Sequence, residues 1–303
     1  MKSIRRILAV SAVALLAAAC GPAGTGADDD GTVGDDDGTS GTCTPSGAEG
    51  SVASCGNGMD DECDGLTDCE DPDCSGVGAC PVCGEVDTSA GGGIVLPDGV
   101  TGTDCTSNAD CGAATPNCIE NTCHDSYTST LDVIGFGPNQ MFDNVDIIES
   151  VCVTMEHSWL RDMEIRLIAP GGQIVRMQRF LGQMGGEVYL GDANDCDESS
   201  PAPGTGAMYC WAPTATNPPM LDYANAGSAM NNVDSCDGFP ADQLPPGTYS
   251  AADPWNLLMG SPLNGSWKFV VTDLWEIDNG FLFDWQIKFN PNSVADCSGP
   301  IIN

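Results

Sequence analysis

The sequence predicts an all-β fold: an antiparallel β-sandwich in its second half, preceded by a disulfide-rich, mostly irregular segment. Three observations carry this expectation. From about residue 128, apolar and polar residues alternate in short runs between Gly, Pro and Asn/Asp turn signals, and no segment keeps a helical period. Eleven of the 17 cysteines fall within residues 43–123, a density above the roughly 8–10% that marks a disulfide scaffold. Acidic residues number 44 against 9 basic ones, a formal charge of −35.

That charge bounds the partners. Residues 20–126 carry 22 Asp and Glu and no Lys or Arg. Nucleic-acid binding rests on Lys and Arg displacing counterions from phosphates, so nucleic acid is excluded as a partner. So many carboxylates favour hard cations such as Ca²⁺. The cysteine density belongs outside the cytosol.

Taken in order, residues 1–19 begin with Lys2, Arg5 and Arg6, followed by an apolar run from Ile7 to Ala19 that is too short to span a bilayer. The run ends in Leu16-Ala17-Ala18-Ala19-Cys20-Gly21. This resembles a bacterial lipoprotein signal, with Ala17 where that family usually has Leu. The resemblance implies cleavage before Cys20, diacylation of its thiol and a lipid anchor in the bacterial cell envelope. Residues 20–42 are Gly, Thr and two Asp triplets with almost nothing to bury, and they read as an extended, disordered tether.

Residues 43–126 form the cysteine-rich region, read as short loops stapled by covalent bonds without a core of their own. Its second half spaces Cys105, Cys111, Cys118 and Cys123 as disulfide candidates, for which sequence allows three pairings. Its first half runs Cys55-Gly56-Asn57-Gly58-Met59-Asp60-Asp61-Glu62-Cys63-Asp64-Gly65-Leu66-Thr67-Asp68-Cys69-Glu70-Asp71-Pro72-Asp73-Cys74. Carboxylates at alternate positions before a Gly, then at later spacings, suit an oxygen-ligand wrap around one ion. The stretch resembles an acidic repeat of bacterial surface proteins and the calcium repeats of thrombospondin. That resemblance implies Ca²⁺ ligands at Asp60, Glu62, Asp64, Asp68 and Asp71, with Glu62 the one departure. A zinc reading of Cys80-Pro81-Val82-Cys83 is weaker, because no second CxxC or paired His follows.

The sandwich is expected over residues 127–291, with a tail at 292–303. Val151, Val153 and Met155 alternate with polar neighbours, as do Met163, Ile165 and Leu167, then Trp267, Phe269 and Val271, and finally Phe281, Phe283, Trp285, Ile287 and Phe289. Pro170-Gly171-Gly172, Pro245-Pro246-Gly247, Asn264-Gly265 and Asp278-Asn279-Gly280 mark turns. The stretch from His157-Ser158-Trp159-Leu160-Arg161-Asp162 to Pro170-Gly171-Gly172 resembles a signature of the P domain, or Homo B domain, of subtilisin-like proprotein convertases. Gly265-Ser266-Trp267 to Asp273, Asp278-Asn279-Gly280 and Trp285-Gln286-Ile287 are similar to its ending. The resemblance implies a jelly-roll sandwich, from which the insertion at 194–242 departs. It also allows a Ca²⁺ site among Asp162, Asp192, Asp273 and Asp278, which otherwise read as turn-forming aspartates.

The sequence nominates no catalytic residue. It has no G-x-S-x-G, and Gly38-Thr39-Ser40, which resembles a subtilase nucleophile motif, lies in the tether. The segment before the sandwich is too acidic and coreless to hold a subtilisin domain. His157 reads as a structural histidine, and His124 has no visible partner. Tyr209, Trp211, Trp255 and Trp275 leave open a sugar-stacking platform, whereas Trp267 and Trp285 belong to the core. Setting Cys20 aside leaves eleven cysteines before the sandwich and five within it. Both counts are odd, so full pairing requires at least one bridge between the regions. The expectation is a non-catalytic, lipid-anchored, calcium-stabilised surface protein that presents its sandwich to a protein partner. The alternatives are an accessory to a secreted subtilisin-like endopeptidase and a carbohydrate-binding module.

Overall fold

Period-two alternation becomes strands wherever one face meets an apolar layer. In chain order they are β1 (Glu85–Val95), β2 (Thr101–Asp104), β3 (Asn117–Ile119), β4 (Thr122–His124), β5 (Tyr127–Val133), β6 (Ile148–His157), β7 (Met163–Ile168), β8 (Ile174–Gln178), β9 (Val188–Tyr189), β10 (Ala207–Trp211), β11 (Asn231–Asp234), β12 (Pro240–Gln243), β13 (Gly247–Tyr249), β14 (Gly265–Asp273) and β15 (Gly280–Phe289). One short helix, α1, spans Met220–Asn225. This computed structural model describes residues 44–294 apart from 48–49, 64, 76, 79, 81–84, 100, 183–184, 195–200, 228–229, 235–239 and 277, with backbone only at 70, 72, 85–92 and 234.

Two sheets enclose the core. The first orders its strands β1-β15-β6-β10-β13, the second β5-β14-β7-β8. From the first sheet come Val151, Val153, Met155, Tyr209, Trp211, Trp285 and Ile287; from the second, Met163, Ile165, Leu167, Trp267, Phe269 and Val271. Phe269 stacks on Trp285 across the layer at 4.9 Å between ring centroids. The all-β sandwich is therefore present. Antiparallel pairing dominates, but β10 and β13 run parallel, as do β12 and β9.

Three particulars differ from the sequence reading. The expected boundary at residue 127 falls inside one folded unit, Cys43–Asn303. Well upstream of it, β1 pairs antiparallel with β15 from Glu85↔Lys288 to Val95↔Phe281, with an irregularity between Ser89 and Ile94 that absorbs Ala90-Gly91-Gly92-Gly93. Runs of glycine hide a strand from alternation, because they carry no side chain to alternate. The insertion at 194–242, expected to depart from the sandwich, supplies β10 between β6 and β13, fastened by the Cys152–Cys210 disulfide.

The third difference lies in β14. Val270 and Thr272 point away from the core, yet they are 1% and 0% exposed. The small sheet β2-β4-β3 accounts for this. Directly after β4, Ser126 Oγ meets Thr272 Oγ1 at 2.6 Å, and His124 lies near enough to Arg166 and Asp273 to feel their charges. The second cysteine segment thus covers part of the outer face of the four-stranded sheet. Its bridges are Cys105–Cys118 and Cys111–Cys123. In the first segment Cys55–Cys74 and Cys69–Cys80 are bonded, and Cys55, Cys74 and Cys80 form the buried cluster. Half-cystines there do the work that aliphatic side chains do in the sandwich.

Candidate functional site

The inward rows of β6 and β14 do not stay apolar to their ends. Past Met155 the next inward residue is His157, and past Val271 it is Asp273, and both are fully buried. His157 Nε2 lies 3.1 Å from Asp273 Oδ2, so the pair bridges the two sheets at one end of the core. The backbone amide of Trp159 donates to Nδ1 at 2.9 Å. That contact makes Nδ1 an acceptor and puts the ring hydrogen on Nε2, where Asp273 receives it. The other Asp273 oxygen accepts the Trp275 amide at 3.2 Å.

Asp162 closes the same end. It is 1% exposed, and its Oδ1 is buried with no hydrogen-bond partner. Its carboxyl shares a hydrogen bond with that of Asp278. Burial, then the nearby Asp273 and Asp278 carboxylates, push Asp162 up to about 7, against the opposing pull of His157. Asp278 Oδ1 also accepts from Ser158 Oγ at 3.4 Å. Two touching carboxyls need either a shared proton or a cation, and the orphaned oxygen offers a ligand to the latter. Asp192 serves a different purpose: it is exposed, and its backbone exchanges two 2.8 Å hydrogen bonds with Thr205. Sequence reasoning missed Glu156, which is fully buried although it faces away from the core and accepts the Gly204 amide at 3.3 Å. Nothing in its alternation signals this.

Ser158, His157 and Asp273 share the residue types of a hydrolytic triad but not its geometry. Ser158 Oγ donates to Asp278, and both His157 nitrogens are engaged elsewhere. All three side chains are fully buried, so none reaches a substrate.

The acidic loop is built on other terms. Asp60 accepts the Cys63 amide at 2.6 Å and the Gly65 amide at 2.9 Å, one on each oxygen. Asp68 accepts the amides of Asn57 and Gly58 at 3.1 Å. Asp61 takes Ser46 Oγ and Asn57 Nδ2, which hold its carboxyl below its ordinary range. The carboxylates that converge are Glu62, Asp71 and Asp73, with one oxygen of each within 4.8 Å of the others. Asp71 is 2% exposed and accepts the Asp73 amide at 2.7 Å. Of the four expected ligands among the described residues, two, Glu62 and Asp71, come together, joined by Asp73. The added residue follows from Pro72, which opens a tight 3₁₀ turn and carries Asp73 back beside Asp71. Asp64 and Cys20 lie outside the described residues.

Other expected groups also find their places. Cys80 is bonded to Cys69, so it is no zinc ligand, and Cys83 lies outside the described residues. The clustered sulfurs of Cys105, Cys111 and Cys123 are likewise half-cystines. Tyr209 and Trp211 are fully buried and Trp255 is 7% exposed, which removes three of the four proposed sugar-stacking rings; Trp275 is 46% exposed. An inter-region bridge would join Cys43, Cys63 or Cys83 to Cys196, Cys236 or Cys297; of these six only Cys63 is among the described residues, and it is disulfide-bonded.

No protein-family model matches the chain, and no curated protein matches it in sequence. Solved structures that align with it include the serine protease of Aeromonas sobria, and that protease in complex with the chaperone ORF2. In both alignments identity is 14% and the TM-score 0.23, over 69% of this chain and 27% of the other. A likeness at that level transfers neither activity nor partner, and this chain spans about a quarter of the matched proteins' length.

Proposed function

We propose that the protein is a non-catalytic, lipid-anchored component of a bacterial cell envelope that presents its sandwich to a protein partner and is stabilised by Ca²⁺. One observation supports presentation above the others. The disulfide module covers part of the outer face of the four-stranded sheet, whereas the outer face of the five-stranded sheet leaves Met208 half exposed beside the Cys152–Cys210 bridge. Anchoring through Cys20 rests on the signal-like N-terminus. Ca²⁺ is supported by the convergence of Glu62, Asp71 and Asp73, and by the Asp162–Asp278 contact with its orphaned oxygen. A bound ion would neutralise these carboxylates and fix their loops.

A second reading keeps the P-domain resemblance and makes the sandwich an accessory to a secreted subtilisin-like endopeptidase. It is favoured by the way the two signature stretches, about a hundred residues apart, meet at His157–Asp273 and along β7–β14. Co-purification from envelopes with a peptidase would select it.

The test of the calcium reading is a thermal melt of the purified oxidised chain in excess EDTA and in millimolar Ca²⁺. A ligand bound only by the native state raises its stability by mass action. The expected result is an upward shift that Asp71→Asn and Asp162→Asn each reduce; an unchanged melting temperature would remove calcium.

A further inference from the structure

We infer that the cleft at the Lys288 end of the five-stranded sheet is a docking site for a lysine- or arginine-bearing segment of another polypeptide. The inference rests on the presentation reading above and names the surface it uses. The cleft has a volume of about 630 Å³, within the range of cavities that hold small ligands. It opens on the outer face, where Lys288 stands opposite Ser150 and Thr248 stands opposite Cys210 of the disulfide. Asp146 and Glu149 supply carboxylates; Ser150, Thr214 and Thr248 supply hydroxyls; Pro213 supplies an apolar wall.

The charge arrangement decides the ligand. Lys288 Nζ sits 3.2 Å from Glu149 Oε2, and both side chains remain about two-fifths exposed. A solvent-exposed ion pair of this kind is weak and exchanges readily. Lys288 therefore occupies, from within the chain, the place that a partner's ammonium or guanidinium takes. With Lys288 displaced, Asp146 and Glu149 both face the incoming cation, and the hydroxyls and Pro213 receive its backbone and aliphatic stem. The −35 charge of the whole chain draws such a segment in but does not place it.

The probe is a fluorescein-labelled, C-terminally amidated peptide carrying two arginines, titrated by anisotropy against the purified full-length chain. The expected result is saturable binding that Asp146→Asn/Glu149→Gln weakens by about tenfold. A control pair of exposed carboxylates outside the cleft, Asp242→Asn/Glu276→Gln, has the same charge change and is expected to shift affinity less than about twofold. Lys288→Met removes the internal competitor and is expected to tighten binding. Equal losses in the two double variants would reduce the effect to bulk charge and overturn the site. Unchanged or weaker binding in Lys288→Met would show that Lys288 does not occupy the place of the incoming cation, and would overturn the inference. If a partner protein isolated from envelopes binds the wild type and Asp146→Asn/Glu149→Gln equally, presentation stands and this cleft is not its surface.

Discussion

The acidic loop between Asp60 and Asp73 and the acidic end of the sandwich look alike in sequence, each being scattered Asp and Glu beside Gly, Pro or Asn. In space they are opposites. The loop spends carboxylates as turn-builders: Asp60 and Asp68 each take backbone amides on both oxygens, in an environment where water screens them. The sandwich end takes Asp162 and Asp273 out of water altogether and must balance them internally, Asp273 with His157 and Asp162 with a shared hydrogen bond to Asp278. The same residue type thus acts as cheap local scaffolding in one place and as a high-stakes buried charge in the other. Counting carboxylates does not separate the two roles; burial does.

The largest effect that sharpens this contrast is expected from His157→Ala. It leaves Asp273 buried without its partner, and breaking a buried pair from one side costs about 3–5 kcal/mol. Urea denaturation at neutral pH measures it. A loss below about 1 kcal/mol would mean that Asp273 is compensated otherwise, and the buried end would then resemble the loop.

How much of this was legible beforehand follows from the same contrast. The alternation in β6, β7, β14 and β15 was legible because one face of each strand packs on apolar neighbours. β1 was not, since three of its residues are consecutive glycines, and β10 was not, since it lies in the insertion where no turn signal frames a run. For Asp162 and Asp273 the P-domain resemblance allows a Ca²⁺ site and their place beside turns suggests only turn-forming, but their burial comes from tertiary packing of two sheets. Asp60 and Asp68 had the right spacing for ligands, and local amides claimed them first. Trp211 lies on β10, that same unsignalled strand, so its sequence leaves a sugar-stacking role open while the structure places it in the core.

The next effect is a pH dependence. Asp162 moves from an ordinary 3.8 in the unfolded chain to about 7 in the fold. The fold therefore holds a proton that the unfolded chain releases, so this contribution to stability is complete below 3.8 and is lost as pH rises from about 4 through 7. His124, lowered by burial, acts in the opposite direction. In EDTA, Asp162→Asn is expected to lessen the decline in stability between pH 5 and pH 8 relative to wild type. Identical pH profiles for the two proteins would show that Asp162 ionises freely, and its Oδ1 would then be satisfied by solvent.

The smallest effect discriminates best. Asp68 sits at φ +52°, a left-handed conformation that Asp and Asn tolerate better than Ala, and its side chain accepts the Asn57 and Gly58 amides. Asp68→Asn keeps a carbonyl acceptor and the backbone preference, so it is expected to be nearly neutral, whereas Asp68→Ala is expected to cost about 1 kcal/mol for the lost hydrogen bonds. Neither substitution should change the stabilisation given by Ca²⁺, because the converging oxygens belong to Glu62, Asp71 and Asp73. Asp71→Asn should reduce it. If Asp68→Asn abolished the calcium shift while leaving the EDTA melt untouched, the loop would be gathering its ligands by sequence spacing after all. The distinction between scaffolding and converging carboxylates would then fail where it is most exposed to test.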